Sequence, residues 1–181
     1  MSRVSDIGPE SLPDDLRTLY RRYATDYGRF GNQVAILAHV RPALRHLTAM
    51  LMELRGDGTV SRRHIELAVV AVSKLNACDY CVAHHAPALV VEGLSPAAVE
   101  HVLDYRDHPD LDAIDRLVVE YAIAVTESPR RISDRLFERL RRHFDEAQIV
   151  ELTLRIALCG FFNRFNDAMQ IEQEQDLHTG A

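Results

Sequence analysis

Two cysteines three positions apart, in the run Cys78-Asp79-Tyr80-Cys81, are followed four residues later by His85. A helix turns by about 100° per residue, so positions 78, 81 and 85 fall within roughly 60° of arc and place both sulfurs and one imidazole on a single stripe. The same arithmetic turns His84 elsewhere. A thiol in the first turn of a helix ionises near neutral pH, because the free amides and the macrodipole stabilise its anion. His85 follows Cys81 by one turn, close enough to exchange a proton with it directly or through one water. Glu66, in the middle of the apolar run Ile65 to Val72 one helix earlier, would bond the imidazole and fix its tautomer. That is a Glu-His-Cys relay with a second cysteine at hand. Oxidation of one thiolate to a sulfenic acid would be resolved by the other, giving a disulfide that an external dithiol must reduce. Which thiol is attacked stays open: the amide end favours Cys78 and the base favours Cys81, with more weight on the base because helix-end effects decay within a turn.

The elements that must hold these residues are helical from end to end, with no run of period-two alternation bounded by turn residues. Leu16, Leu19, Tyr20 and Tyr23 share one helical face between Pro13 and Gly28. A second helical region spans about 33–55, where Pro42 must kink or divide it. Ser61 is read as the N-cap of an apolar helix to Leu75 that belongs in the middle of a bundle. Asn76, with Asp79 three residues on, is read as capping the helix that bears the cysteines, which passes Pro87 and ends at Glu92-Gly93-Leu94. Ser95-Pro96 opens a further helix to about Tyr105, Leu111 to Val125 marks another that stops before Pro129, and Ser133 caps the next. Asp145 with Gln148 starts a long apolar helix through Met169, and the tail after Ile171 is polar and expected to fray. Ile65-Glu66-Leu67-Ala68 is echoed by Val150-Glu151-Leu152-Thr153 at an offset of 85 residues, but Cys78 and Cys81 would fall on Asn163 and Asn166. At most one half carries thiol chemistry.

Composition narrows the function. The 181 residues are 47% hydrophobic and 27% charged, an ordinary globular balance, and acidic residues exceed basic ones by 27 to 21. A net charge of −6 disfavours nucleic acid as a partner. No stretch approaches the ~18 apolar residues of a membrane span, and the N-terminus has no signal-like apolar core, so a cytoplasmic location is expected. Three cysteines make no disulfide scaffold. A zinc site needs four ligands, and only Cys78, Cys81 and His84 or His85 are local, so no metal is expected. Cys159, among Ala157, Leu158, Phe161 and Phe162, reads as core. His39, His46, His64, His101, His108, His143 and His178 lack ligand spacing and read as surface or packing residues. The run Arg139 to His143 reads as a solvated helix face rather than a phosphate site.

Taken together, Glu66, eleven intervening residues, Cys78-x-x-Cys81, three more and His85 resemble the signature of the alkyl hydroperoxidase D-like (AhpD-like) branch of the carboxymuconolactone decarboxylase superfamily. Arg41-Pro42-Ala43-Leu44, Glu92-Gly93-Leu94-Ser95 and Asn163-Arg164-Phe165-Asn166-Asp167 are similar to family text as well. The resemblance implies an all-α, AhpD-like helical bundle: a single domain over 40–172, preceded by an N-terminal helical extension over 1–39 and followed by a polar tail over 173–181. It implies a homo-oligomer (dimer, trimer or hexamer) and thiol-dependent reduction of organic hydroperoxides without heme, flavin or metal. By the same resemblance Cys81 is attacked by peroxide, Cys78 resolves, and Glu66 and His85 relay the proton. The expected partners are a hydroperoxide and an external dithiol reductant such as a lipoyl- or thioredoxin-like protein. Tyr80 departs from the family, whose best-studied members carry histidine there; a phenol of pKa near 10 does not replace imidazole as a base at neutral pH. Two other readings use the same scaffold: a lactone decarboxylase with Glu66 and His85 as acid and base, and a redox sensor whose disulfide switches a partner.

Overall fold

The structure, a computed structural model, describes residues 2–175. Its α-helices are α1 (Asp14–Arg22), α2 (Gly31–Leu37), α3 (Arg41–Asp57), α4 (Arg62–Leu75), α5 (Asp79–Val91), α6 (Pro96–Glu100), α7 (Ala113–Glu127), α8 (Asp134–Arg141) and α9 (Glu146–Met169), and no strand occurs among the described residues. The all-α expectation therefore holds. The chain divides into two compact units, Met1–Gly58 with Phe165–Ala181, and Thr59–Arg164.

In the first unit α1 buries Leu16 and Tyr20, and the chain continues through a wider turn, Tyr23–Tyr27. Gly28 follows, where a Cβ would stand 2.6 Å from the Phe30 ring. Pro42 divides the region 33–55: α2 stops at Leu37, and the proline sits in the first turn of α3, where its missing N–H breaks no helical bond. Buried polar groups are satisfied here. Tyr23 Oη donates to Gln33 Oε1 (2.8 Å), and Gln33 Nε2 donates to Asn166 Oδ1 (3.0 Å). After α9 the chain does not leave at once, because Asn32 binds it twice: its backbone N–H donates to Glu174 and its side-chain amide to the carbonyl of Glu172. The remainder of the polar tail, with His178, lies outside the described residues.

The second unit holds the residues of interest. Helix α4 packs against α5 and α7 and buries Ile65, Leu67, Ala68, Val69, Val70, Ala71 and Val72, as expected of an element apolar nearly all round. Leu117, Val118, Leu140, Leu152 and Ile156 extend the same core. Each such side chain contributes on the order of 1.5–3 kcal/mol of burial before entropy is counted. Ser61, Ser95 and Ser133 cap α4, α6 and α8 as anticipated, accepting from the N–H of His64, Ala98 and Leu136. Asp145 and Gln148 exchange reciprocal bonds before α9. A further reciprocal box, Asp112 with Asp115, opens α7.

Candidate active site

The corner between α4 and α5 departs from the sequence reading, and the departure places the thiols. Asn76 does not cap α5; it closes α4, its N–H donating to the Val72 carbonyl (3.0 Å). Ala77 then takes φ +54, a left-handed conformation that costs a non-glycine residue about 1–2 kcal/mol. From there the Cys78 N–H reaches back to the Ser73 carbonyl (2.9 Å). This is the glycine-type end of a helix built on alanine. Cys78 thereby becomes the N-cap residue of α5 itself, at the position from which a serine or aspartate side chain would accept the first free amides. Helix α5 continues through Pro87 and ends as expected, with Gly93 at φ +94 and the Leu94 N–H donating to the Leu89 carbonyl (3.0 Å).

The two sulfurs face each other at 2.9 Å as free thiols, and both residues are buried, Cys78 at 0% and Cys81 at 5% exposure. His85 Nδ1 lies 2.8 Å from Glu66 Oε2. A carboxylate in that place accepts Nδ1–H and leaves Nε2 as the basic nitrogen. Arg62 stands farther off, its Nε 3.8 Å from the other Glu66 oxygen. The structure thus brings Glu66 to His85 and Cys78 to Cys81, with His85 one turn beyond Cys81 on α5. His84 turns away as the helical arithmetic required: its Nδ1 bonds the Tyr80 carbonyl (2.7 Å), and its ring lies on the buried Tyr80 ring at 4.2 Å between centroids.

Cys159 is a different kind of thiol. Burial pushes it up to about 12, with the Ser73 hydroxyl 3.3 Å from its sulfur and Asn163 Oδ1 at 3.7 Å. The second glutamate of the internal echo is equally distinct. Glu151 Oε2 accepts from the backbone N–H of Thr59 (2.7 Å) and Val60 (3.2 Å) and from the Thr59 hydroxyl (3.1 Å), and so ties the start of the unit to α9. Two polar pairings of this unit have no counterpart in the sequence reading. Asn163, wholly buried on α9, bonds both Ser73 and Asn76. Arg63 clasps the buried Asp115 through Nε (3.0 and 3.1 Å) and one terminal nitrogen (2.6 Å). Neither pairing has a short-range spacing that would reveal it. Among the described residues, no group of three or more His, Cys, Asp or Glu side chains is arranged to hold a metal ion, and no helix is long and apolar enough to cross a membrane. Arg139, in the basic run on α8, pairs with Glu120 (2.8 Å), as a solvated helix face would.

Comparison with known proteins bears on the fold that holds these residues. Residues 41–109 match the carboxymuconolactone decarboxylase family. The alkylhydroperoxidase AhpD core, an uncharacterized peroxidase-related protein from Ralstonia eutropha JMP134, superposes with a TM-score of 0.83 at 26% identity, over 97% of this chain and 94% of that one. Residues 41–109 thus resemble the carboxymuconolactone decarboxylase family, in a fold similar to that of the AhpD-like proteins. The uncharacterized protein YnjA of Escherichia coli is 32% identical over 105 residues, which span 58% of this chain and 58% of that protein. The debrominase Bmp8 shares the fold at 17% identity, with a TM-score of 0.79 over 99% of this chain and 96% of that one. Fold and relatives support a peroxidase-related reading, while the debrominase shows that the fold alone does not define the reaction.

Proposed function

We propose that this chain is a thiol-dependent peroxidase that reduces organic hydroperoxides through Cys78 and Cys81. The observation that carries this reading is a pair of short contacts, sulfur to sulfur at 2.9 Å at the start of α5 and His85 on α5 to Glu66 on α4 at 2.8 Å. His85 Nε2 takes the Cys81 proton, and the thiolate attacks one peroxide oxygen. The O–O bond breaks, the sulfur is oxidised to a sulfenic acid, and the departing alkoxide takes the proton back from His85 and leaves as an alcohol. Cys78 then attacks the sulfenic sulfur; the S–O bond breaks, water leaves, and the Cys78–Cys81 disulfide forms. An external dithiol restores both thiols by exchange, its own sulfurs ending as a disulfide. Glu66 holds the imidazole in the productive tautomer. Tyr80, buried and tilted against the His84 ring, packs the start of α5 in this scheme and takes no proton.

The test is to substitute Cys81→Ser and Cys78→Ser separately and to follow consumption of an organic hydroperoxide with a dithiol reductant. Each variant is expected to lose at least about 100-fold in turnover, and unchanged turnover in both would sink the proposal. Titration without reductant adds the second arm: an enzyme turns over again when dithiol is supplied, whereas a sensor stops after one equivalent. Decarboxylation of a lactone that survives loss of both thiols would favour the carbon-acid reading instead. Self-association is part of the proposal, supported by the exposed apolar side chains Val150, Leu154 and Phe161 on α9.

A further inference from the structure

We infer that Asn163 is a positioning residue that sets how readily Cys78 and Cys81 form their disulfide. The inference rests on the proposal that this pair cycles between dithiol and disulfide. Cys78 owes its place to the corner that precedes it, and the corner rests on Ala77 in a left-handed conformation that alanine disfavours. What opposes a return to ordinary backbone angles is a chain of side-chain bonds ending on α9. Asn76 Nδ2 donates to Asn163 Oδ1 (2.8 Å), Asn163 Nδ2 donates to Ser73 Oγ (3.2 Å), and Ser73 Oγ in turn donates to the Val69 carbonyl (2.7 Å). The carbonyl of that same Ser73 accepts the Cys78 N–H. Asn163 therefore bridges the residue before Ala77 and the residue that receives Cys78, and holds both sides of the strained position at once. Asn163 and Ser73 are wholly buried, so no water competes for the bond between them, while the Asn76 end is half-buried.

The consequence is read in the thiol pair. Two sulfurs held face to face have a high effective concentration toward each other, which favours the disulfide and makes the pair more reducing; two sulfurs on a loosened corner do not. The exchange is balanced with glutathione: Cys78 and Cys81 give up two protons and two electrons, oxidised glutathione takes them up, and two reduced glutathiones form. Equilibration of the full chain over a range of glutathione ratios, followed by alkylation and mass analysis, measures the constant. Asn163→Ala is expected to lower it about tenfold, which for a two-electron couple raises the potential by about 30 mV. Ala77→Gly in the Asn163→Ala background is expected to restore the constant to within about threefold of wild type, because glycine adopts the left-handed geometry without the tie. Asn76→Ala, which removes one bond from the half-buried side, is expected to act in the same direction and keeps the test alive if Asn163→Ala does not fold. Constants within about twofold of wild type in both variants, with only the melting temperature lowered, would make Asn163 a packing residue and overturn the inference. A tenfold fall that Ala77→Gly fails to reverse overturns the route through Ala77. A wild-type chain that forms no Cys78–Cys81 disulfide at any ratio removes the underlying proposal, and this inference with it.

Discussion

Helix α4 carries two residues, Glu66 and His64, that each belong to a carboxylate–imidazole pair, and the two pairs sit in different settings. Glu66 meets His85 at 2.8 Å, with Arg62 Nε 3.8 Å from its other oxygen. Asp115 stands 3.6 Å from His64, but its oxygens already take three contacts from Arg63. Burial then prevails over the attraction of Asp115 and Asp112, and the His64 imidazole is held below its ordinary value, beside the edge of Phe144. Proximity of an acid is thus not enough to favour the imidazolium: at His64 burial outweighs two neighbouring carboxylates.

The comparison can be broken at several points. Its largest expected effect is on turnover: His85→Ala should lose about 100-fold in peroxide reduction, the usual scale for a general acid–base, while His64→Ala stays within about threefold. Comparable losses from both would erase the distinction. Stability should reverse the order. Asp115→Asn strands Arg63 and is expected to cost about 2–3 kcal/mol in chemical denaturation, below the full value for a buried pair because Arg63 keeps 26% of its side chain in solvent. Glu66→Gln should change stability by under about 1 kcal/mol. Acid sharpens the contrast further. The folded His64 binds its proton less readily than the unfolded chain does, so its contribution is present above the unfolded value of 6.5 and is lost as the pH falls through the lower folded one. Melting curves taken from about pH 7.5 to about pH 5.5 should therefore decline more steeply in wild type than in His64→Gln. The smallest effect belongs to the third thiol: Cys159→Ala should leave turnover within about twofold, and native Cys159 should resist alkylation at about pH 8, since its thiolate is scarce there.

Much of the site was legible because its information is local. Helical spacing sets Cys81 and His85 one turn apart on α5, although Cys78 caps that helix rather than lying within it, and the serine caps follow from residue type beside an apolar run. Asn76 was misplaced for an instructive reason. A left-handed glycine would have announced the end of α4, and alanine at position 77 gives no such signal, so the capping pattern of Asn76 with Asp79 pointed to the wrong helix. Glu66 and Glu151 look alike in sequence and differ only in what reaches them, an imidazole in one case and backbone amides in the other. Arg63 with Asp115 and Asn163 with Asn76 are pairings between distant helices, which periodicity within one helix does not encode.

Glu151 has a kinetic meaning as well as a static one. Its carboxylate joins Thr59 across 92 residues of chain, so the bond forms only after nearly the whole second unit has been brought together. Loop-closure entropy sets such contacts late in the reaction, after the adjacent helices have paired. Glu151→Ala should accordingly leave the refolding rate almost unchanged and accelerate unfolding, with a φ-value near zero in stopped-flow measurements. The clasp governs how long the native unit lasts rather than how quickly it is reached.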